Sequence, residues 1–274
     1  TDATQSRPYL DNPLASVGFV LVRLQGLSRL GWGMDLHADH SERVVVDATA
    51  TLQGQGAVSL ERQGQGDHAQ ITVVAHPAGD AWAHTGEQLC ELLVLQGALL
   101  IGEDSFGPQS YVRLLPGQAL DLKTQTGCVL YENRRDWTEA EEGSFALAGD
   151  RMDWRQGMVP GLKVTSLHEG LTKHTALVRW APDTRFNPHT HVGGEEILVL
   201  AGVFRDEHGA YPAGTWIRSP HMSHHRPFTE AEGATILVKV GHLQVQGSFE
   251  NPIKTSARRF FVGSFCKSRR TLSN

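Results

Sequence analysis

The chain has 274 residues, about 40% of them hydrophobic, enough to bury the cores of one large domain or two of ordinary size. Its 25 basic and 30 acidic side chains give a formal charge of −5, which offers nucleic acid or an anionic membrane no general attraction and makes small molecules or proteins the expected partners. Only Cys90, Cys128 and Cys266 occur, with no CxxC pair, which argues against a disulfide framework or a thiolate zinc knuckle and fits a reducing cytoplasm.

Residues 14–24, LASVGFVLVRL, are interrupted by Ser16, Gly18 and Arg23, too short to span a bilayer and without a basic leader. They predict a strand within an N-terminal extension covering 1–34. Downstream, RVVVDAT (43–49), ITVVAH (71–76), ELLVLQGALLIG (91–102), ALVRWAP (176–182), EEILVLAGVF (195–204), GTWIRSP (214–220) and TILVKVGHL (235–243) are rich in Val, Ile, Leu and aromatics and are separated by Gly, Pro, Asp and Asn. No 12-residue window carries a helical stripe. The best helical candidate, RRDWTEAEEGS (134–144), is polar and suits a linker turn or short helix. An all-β sandwich or barrel follows. After His242 the tail (244–274) carries Lys254, Arg258, Arg259, Lys267, Arg269 and Arg270 against Glu250, and reads as a solvated basic end, with contact to nucleic acid or to a second subunit as the alternative.

Sliding the sequence by 105 positions brings two halves into register. Residues 76–97, HPAGDAWAHTGEQLCELLVLQG, fall on 181–202, APDTRFNPHTHVGGEEILVLAG. Pro77 meets Pro182, His84-Thr85 meets His189-Thr190, Glu91 meets Glu196 and Gly97 meets Gly202, while Arg113 of SYVR meets Arg218 of TWIR. The duplication predicts two β-domains, 35–136 and 150–243, joined by a linker at 137–149.

Histidine marks the chemistry, because six of the 14 (His189, His191, His208, His221, His224, His225) fall within 37 residues. On a strand, His189 and His191 project to one face, Val192-Gly193-Gly194 has the composition of a tight turn, and Glu195 opens the returning strand beside them. Ile197, Val199 and Ala201 then share the Glu195 face and Leu198 and Leu200 the other. A fourth ligand is expected from RSPHMSHHRPF (218–228), where spacing leaves His224 and His225 as alternatives and makes His221 and His224 candidates for an outer shell. His208 reads as an exposed turn residue, and Glu196 as structural on the opposite face.

These residues resemble the cupin superfamily. HTHVGGEEILVLAG fits its first motif, and YPAG followed by His225 fits its second; the wording through SHHRPF is similar to the ChrR-like cupin group, named for a zinc-binding anti-sigma factor of the photooxidative response. DLHADHSERVVVDAT (35–49) is similar to the opening of two-cupin chains of that group. The resemblance implies two tandem jelly-roll barrels, with His189, His191, Glu195 and His225 as the ligands. It favours His225 over His224, since H-x-P-F is kept around it. In the first barrel His84 matches His189, but Gly86, Cys90 and Leu120 stand where His191, Glu195 and His225 would be, so that barrel is expected to hold no metal. Cys90 reads as a buried apolar thiol.

Three imidazoles and one carboxylate suit a single divalent transition metal per chain, zinc or iron first, with manganese, nickel or copper also compatible. Six-coordinate iron or manganese would leave positions open for substrate, whereas four-coordinate zinc would be closed and structural. Two functions stay open. The resemblance implies a dioxygenase-like enzyme acting on a small diketone or phenolic ketone, with Phe186, Trp216 and Arg218 as candidate pocket residues. The alternative is a zinc-binding regulator that engages a sigma factor; against it, residues 1–34 contain no Cys or His from which to build the zinc motif of an anti-sigma domain. Monomer and homodimer are both compatible with a duplicated barrel.

Overall fold

The computed structural model describes residues 20–22, 42–61, 70–137, 143–170, 173–243 and 270–271; most of the N-terminal extension and of the basic tail lies outside them. The regular structure of the described residues is almost entirely strand, with one helical turn at Thr49–Leu52 and a 3-10 turn at Gly149–Arg151. The helical candidate is corrected in part, because Arg134 and Arg135 end the strand Cys128–Arg135 and 138–142 lie outside the described residues. Within the apolar stretch near the N-terminus, Val20–Val22 is a strand, as expected, and pairs in parallel with Val44–Asp47.

Two barrels are present. In the first, a seven-stranded sheet centred on Leu89–Gly97, Cys128–Arg135 and Gln70–His76 faces a four-stranded sheet of Ala81–His84, Leu120–Lys123, Leu99–Ile101 and Asp104–Phe106. In the second, a nine-stranded sheet built on Glu195–Asp206, Ala234–Val240, His174–Trp180 and Leu162–Glu169 is closed by the small pair His189–His191 and Ser223–His225. The duplication is visible in the ladders. Leu120 lies opposite His84 as His225 lies opposite His189, and Phe106 lies opposite Leu99 as Tyr211 lies opposite Phe204.

Alternation along Glu195–Asp206 assigns its two faces. Ile197 and Val199 join Trp180, Phe204 and Ile236 inside the second barrel, while Leu198 and Leu200 point outward. The outward face is not solvated. Leu198, Trp216 and Leu237 pack on Leu93, Tyr111, Tyr131 and Phe145 of the other sheet, so a third apolar core holds the barrels face to face. Glu91 and Glu196, duplicates of each other, lie in this contact layer. Glu91 accepts from Arg113 (2.7 Å), Tyr111 (2.7 Å) and Asn133 (3.1 Å), and Lys239 of the second barrel stands 3.9 Å from it. Glu196 pairs with His242 at 2.7 Å, which fits the structural role expected of it.

The barrels also exchange strands. Val44–Asp47, on the segment entering the first barrel, pairs with Thr215–Ser219 of the second. Phe145–Leu147, inside the segment read as a linker, pairs with Tyr111–Leu114 of the first. The two contacts match in register: Val44 lies opposite Arg218 and Phe145 opposite Arg113, the residues that the 105-position offset equates. Sequence boundaries at 137 and 150 thus do not coincide with the borders of the sheets.

Candidate metal centre

The hairpin at the mouth of the second barrel turns on Gly193 (φ 81°) and Gly194 (φ 71°). Both φ values suit glycine, and a Cβ on Gly193 would meet the Gly241 backbone at 2.7 Å. The Gly193 N–H donates to Nδ1 of His221 (2.9 Å), so His221 braces the turn. Across the turn the pleat carries His189 and His191 to one side with Glu195 beside them. The antiparallel partner strand adds His225 opposite His189. His224 lies opposite Thr190, on the other side and exposed, which resolves the choice between the adjacent histidines in favour of His225.

The four donor atoms of His189, His191, Glu195 and His225 all lie within 4.8 Å of one another, and among the described residues no other group of His, Cys, Asp and Glu converges this way. Nε2 of His225 is 2.9 Å from Nε2 of His191 and 3.3 Å from Nε2 of His189; Glu195 Oε2 is 3.4 Å from His191 and 3.6 Å from His225. Two atoms each about 2.1 Å from one ion are roughly 3.0 Å apart at a right angle and roughly 3.4 Å apart at a tetrahedral angle. The observed separations fit a single shared ion. Among the described residues Glu195 Oε2 is fully buried with no hydrogen-bond partner, a costly state for a carboxylate oxygen that coordination would relieve.

Ring orientation is set from behind. His189 Nδ1 donates to the Asn187 carbonyl (2.9 Å), and Nδ1 of His225 faces Oδ2 of Asp206 at 3.4 Å; each partner fixes the tautomer that leaves Nε2 with its lone pair. Asp206 is itself gripped by the Arg43 guanidinium at 2.6 Å, the Tyr211 hydroxyl at 3.2 Å and the His208 backbone N–H at 2.8 Å. Burial holds His191 down to about 2, helped by the facing His225 and His189, and it lowers His189 too. Burial also opposes charging His225, but Glu195 and Asp206 outweigh it and raise that pKa. Glu195 is pushed up to about 7 by burial, with Asp206 adding repulsion.

Residues 142–244 match the family model described as the ChrR cupin-like domain. Comparison with curated proteins gives no match. Among solved structures, a cupin conserved barrel domain protein from Leptotrichia buccalis superposes with a TM-score of 0.53, at 11% identity over 72% of this chain and 95% of that one. The chain has the cupin fold. Protein Ylba from E. coli (TM-score 0.57, 14% identity, 79% of this cupin and 100% of that chain) and a salicylate 1,2-dioxygenase from Pseudaminobacter salicylatoxidans (0.55, 12%, 76% and 86%) share the fold. Within that fold the second barrel, residues 142–244, resembles the ChrR-like group.

Two of the three candidate pocket residues are corrected. Trp216, 1% exposed, packs in the contact layer between the barrels, and Arg218 pairs in register with Glu196 on that same outward face. Neither lines the cupin's metal centre. Phe186 does stand at the site, its ring edge-on to His189 at 5.0 Å. His208 is exposed in the turn joining Glu195–Asp206 to Gly209–Pro212, as expected. In the first barrel His84 is buried beside Leu120, Cys90 is a buried free thiol pushed up to about 12 by burial, and a Cβ on Gly86 would meet the Gln118 backbone at 2.9 Å. That mouth retains His84 alone of the histidine–glutamate set, and Gly86 leaves no room there for a side chain. Sequence reasoning missed Asp206, Arg43, Tyr211 and Asn187; an acid at the end of a hairpin strand was the one available hint.

Proposed function

We propose that this cupin is a mononuclear metal-dependent enzyme of dioxygenase type, acting on a small diketone or phenolic ketone in its second barrel. The donor set carries the reading: three imidazole nitrogens converge with one buried carboxylate oxygen that has no hydrogen bond among the described residues. His189, His191, Glu195 and His225 would hold the ion, which supplies Lewis-acid polarisation of a chelating carbonyl and, as iron, redox chemistry with oxygen. The chain's own part is orientation and exclusion. Asn187 and Asp206 fix two of the rings, the apolar interior around Trp180 and Phe204 keeps water from the inner side, and Phe186 offers an aromatic wall beside His189. The fold shared with a salicylate 1,2-dioxygenase adds an analogy and no more. Iron-loaded protein should take up oxygen with β-diketone or phenolic ketone substrates; absence of uptake across both classes contradicts the proposal.

A second reading, a zinc-holding regulator, is favoured by the match of 142–244 to the ChrR cupin-like domain. Stoichiometric zinc together with binding of a sigma factor, and no oxygen uptake, would establish it instead. A cytoplasmic setting is supported by the free buried thiols of Cys90 and Cys128, and no helix among the described residues is long and apolar enough to cross a membrane.

A further inference from the structure

We propose that the metal centre of the second barrel is coupled through Arg43 to the exchanged strand Val44–Asp47, so that metal binding and strand docking tighten one another. The inference rests on the metal reading above. His225 is the one ligand outside the hairpin 189–195, and the group behind it is Asp206, 3.4 Å from Nδ1. That separation is long for a hydrogen bond, so small movements of the carboxylate decide whether the ring is held. The Asp206 side chain is fully buried, and among the described residues its permanently charged partner is Arg43, which also donates to the Tyr211 hydroxyl at 2.9 Å. Without Arg43 the carboxylate keeps, among the described residues, the Tyr211 hydroxyl, the His208 N–H and the long contact to His225 Nδ1, too little to keep a buried charge in place.

Arg43 directly precedes Val44, the residue paired with Arg218. The strand it leads has four residues, and the chain then turns into Thr49–Leu52 on its way to the first barrel, with the Ala48 N–H on the Gly214 carbonyl at 2.8 Å. A four-residue ladder flanked on its other side by the three-residue strand Val20–Val22 is weakly held, so a buried ion pair at its head contributes a sizeable share of its docking. Holding His225 therefore helps to hold the strand, and the converse follows by linkage.

The duplication supplies an internal control. At the 105-position offset Asp206 corresponds to Ile101 and Tyr211 to Phe106, in a hairpin of the same register. In the matching exchanged strand, Ser144 stands where Arg43 would be, and its Oγ accepts from the Leu115 N–H at 2.8 Å. The barrel without the ligands thus also lacks the acid, the phenol and the cation. All three belong to the metal-bearing copy, as expected of a device that serves the metal and not of one that merely closes a barrel.

Metal-stripped protein titrated with zinc against a chromophoric chelator gives the affinity directly. Arg43→Met, which keeps an apolar stem, should weaken zinc binding by about 10- to 100-fold, with Arg43→Lys in between. In the parent protein, zinc should slow amide exchange across residues 42–48 and leave Gln70–His76 of the first barrel unchanged. Parent-like affinity in folded Arg43→Met, or exchange at 42–48 indifferent to zinc, would overturn the coupling while leaving the metal site standing. Should Arg43→Met fail to fold, the exchange measurement on the parent decides alone. A parent that binds no zinc would overturn the metal reading and the coupling with it.

Discussion

His224 and His225 are adjacent in sequence and opposite in role, because a strand turns successive side chains to opposite faces. His225→Ala should abolish stoichiometric metal binding, whereas His224→Ala, removing an exposed ring whose described contact is Thr190 Oγ1 at 3.3 Å, should leave the affinity within about twofold, both read by chelator competition. The ligands were legible because each is written locally, by an alternation of two, a glycine turn and a second motif. Asp206 and Arg43 were not, since they meet across 163 positions and no local pattern announces a contact of that range. Trp216 and Arg218 misled for a related reason. All five residues of Thr215–Ser219 are buried, so hydrophobic alternation gives no clue to which face looks into the barrel and which toward its twin.

At the scale of elements, Gly97 at the end of Leu89–Gly97 and Gly202 within Glu195–Asp206 sit at equivalent points of the two barrels in left-handed conformations, φ 70° and 69°. A Cβ there would meet the carbonyl oxygen of Gly127 or Gly233 at 2.0 or 2.2 Å, which is backbone and cannot move aside. Gly202→Ala and Gly97→Ala should each cost more than about 2 kcal/mol in urea unfolding, the left-handed penalty plus the clash. These glycines were visible in the sequence as repeat matches at one offset; the reason they repeat, a carbonyl pressed against the turn, was not. The exchange of Val44–Asp47 and Phe145–Leu147 was equally hidden, since both are short apolar runs that any neighbouring sheet edge could accept.

At the scale of the molecule, the barrels are held together by an apolar layer with buried charges set in it, and acid should loosen that contact. Burial opposes ionising Glu91, but Lys239, Arg135 and Arg113 outweigh it and hold its carboxyl well below the usual range. A group with a depressed folded pKa contributes stability that is present above its unfolded value, about 4.5, and is lost as pH falls below it. Glu195 acts with the opposite sign: raised to about 7, it makes metal-free protein less stable as pH climbs from about 4.5 to 7, so the two effects occupy separate windows. The urea midpoint should therefore fall between pH 4.5 and 3, and Glu91→Gln, which leaves buried cations uncompensated, should cost about 3–5 kcal/mol at pH 7 and flatten that acid limb. The halves were legible as copies; their face-to-face packing was not, because an outward strand face of Leu198 and Trp216 reads the same whether it meets a twin or another subunit. What is proposed to separate the copies is the ion, and elemental analysis of the purified chain tests this most directly. One transition metal per chain, lost in His191→Ala, is the predicted result; two per chain, none, or a stoichiometry unchanged by His191→Ala would contradict a single centre built on His189, His191, Glu195 and His225.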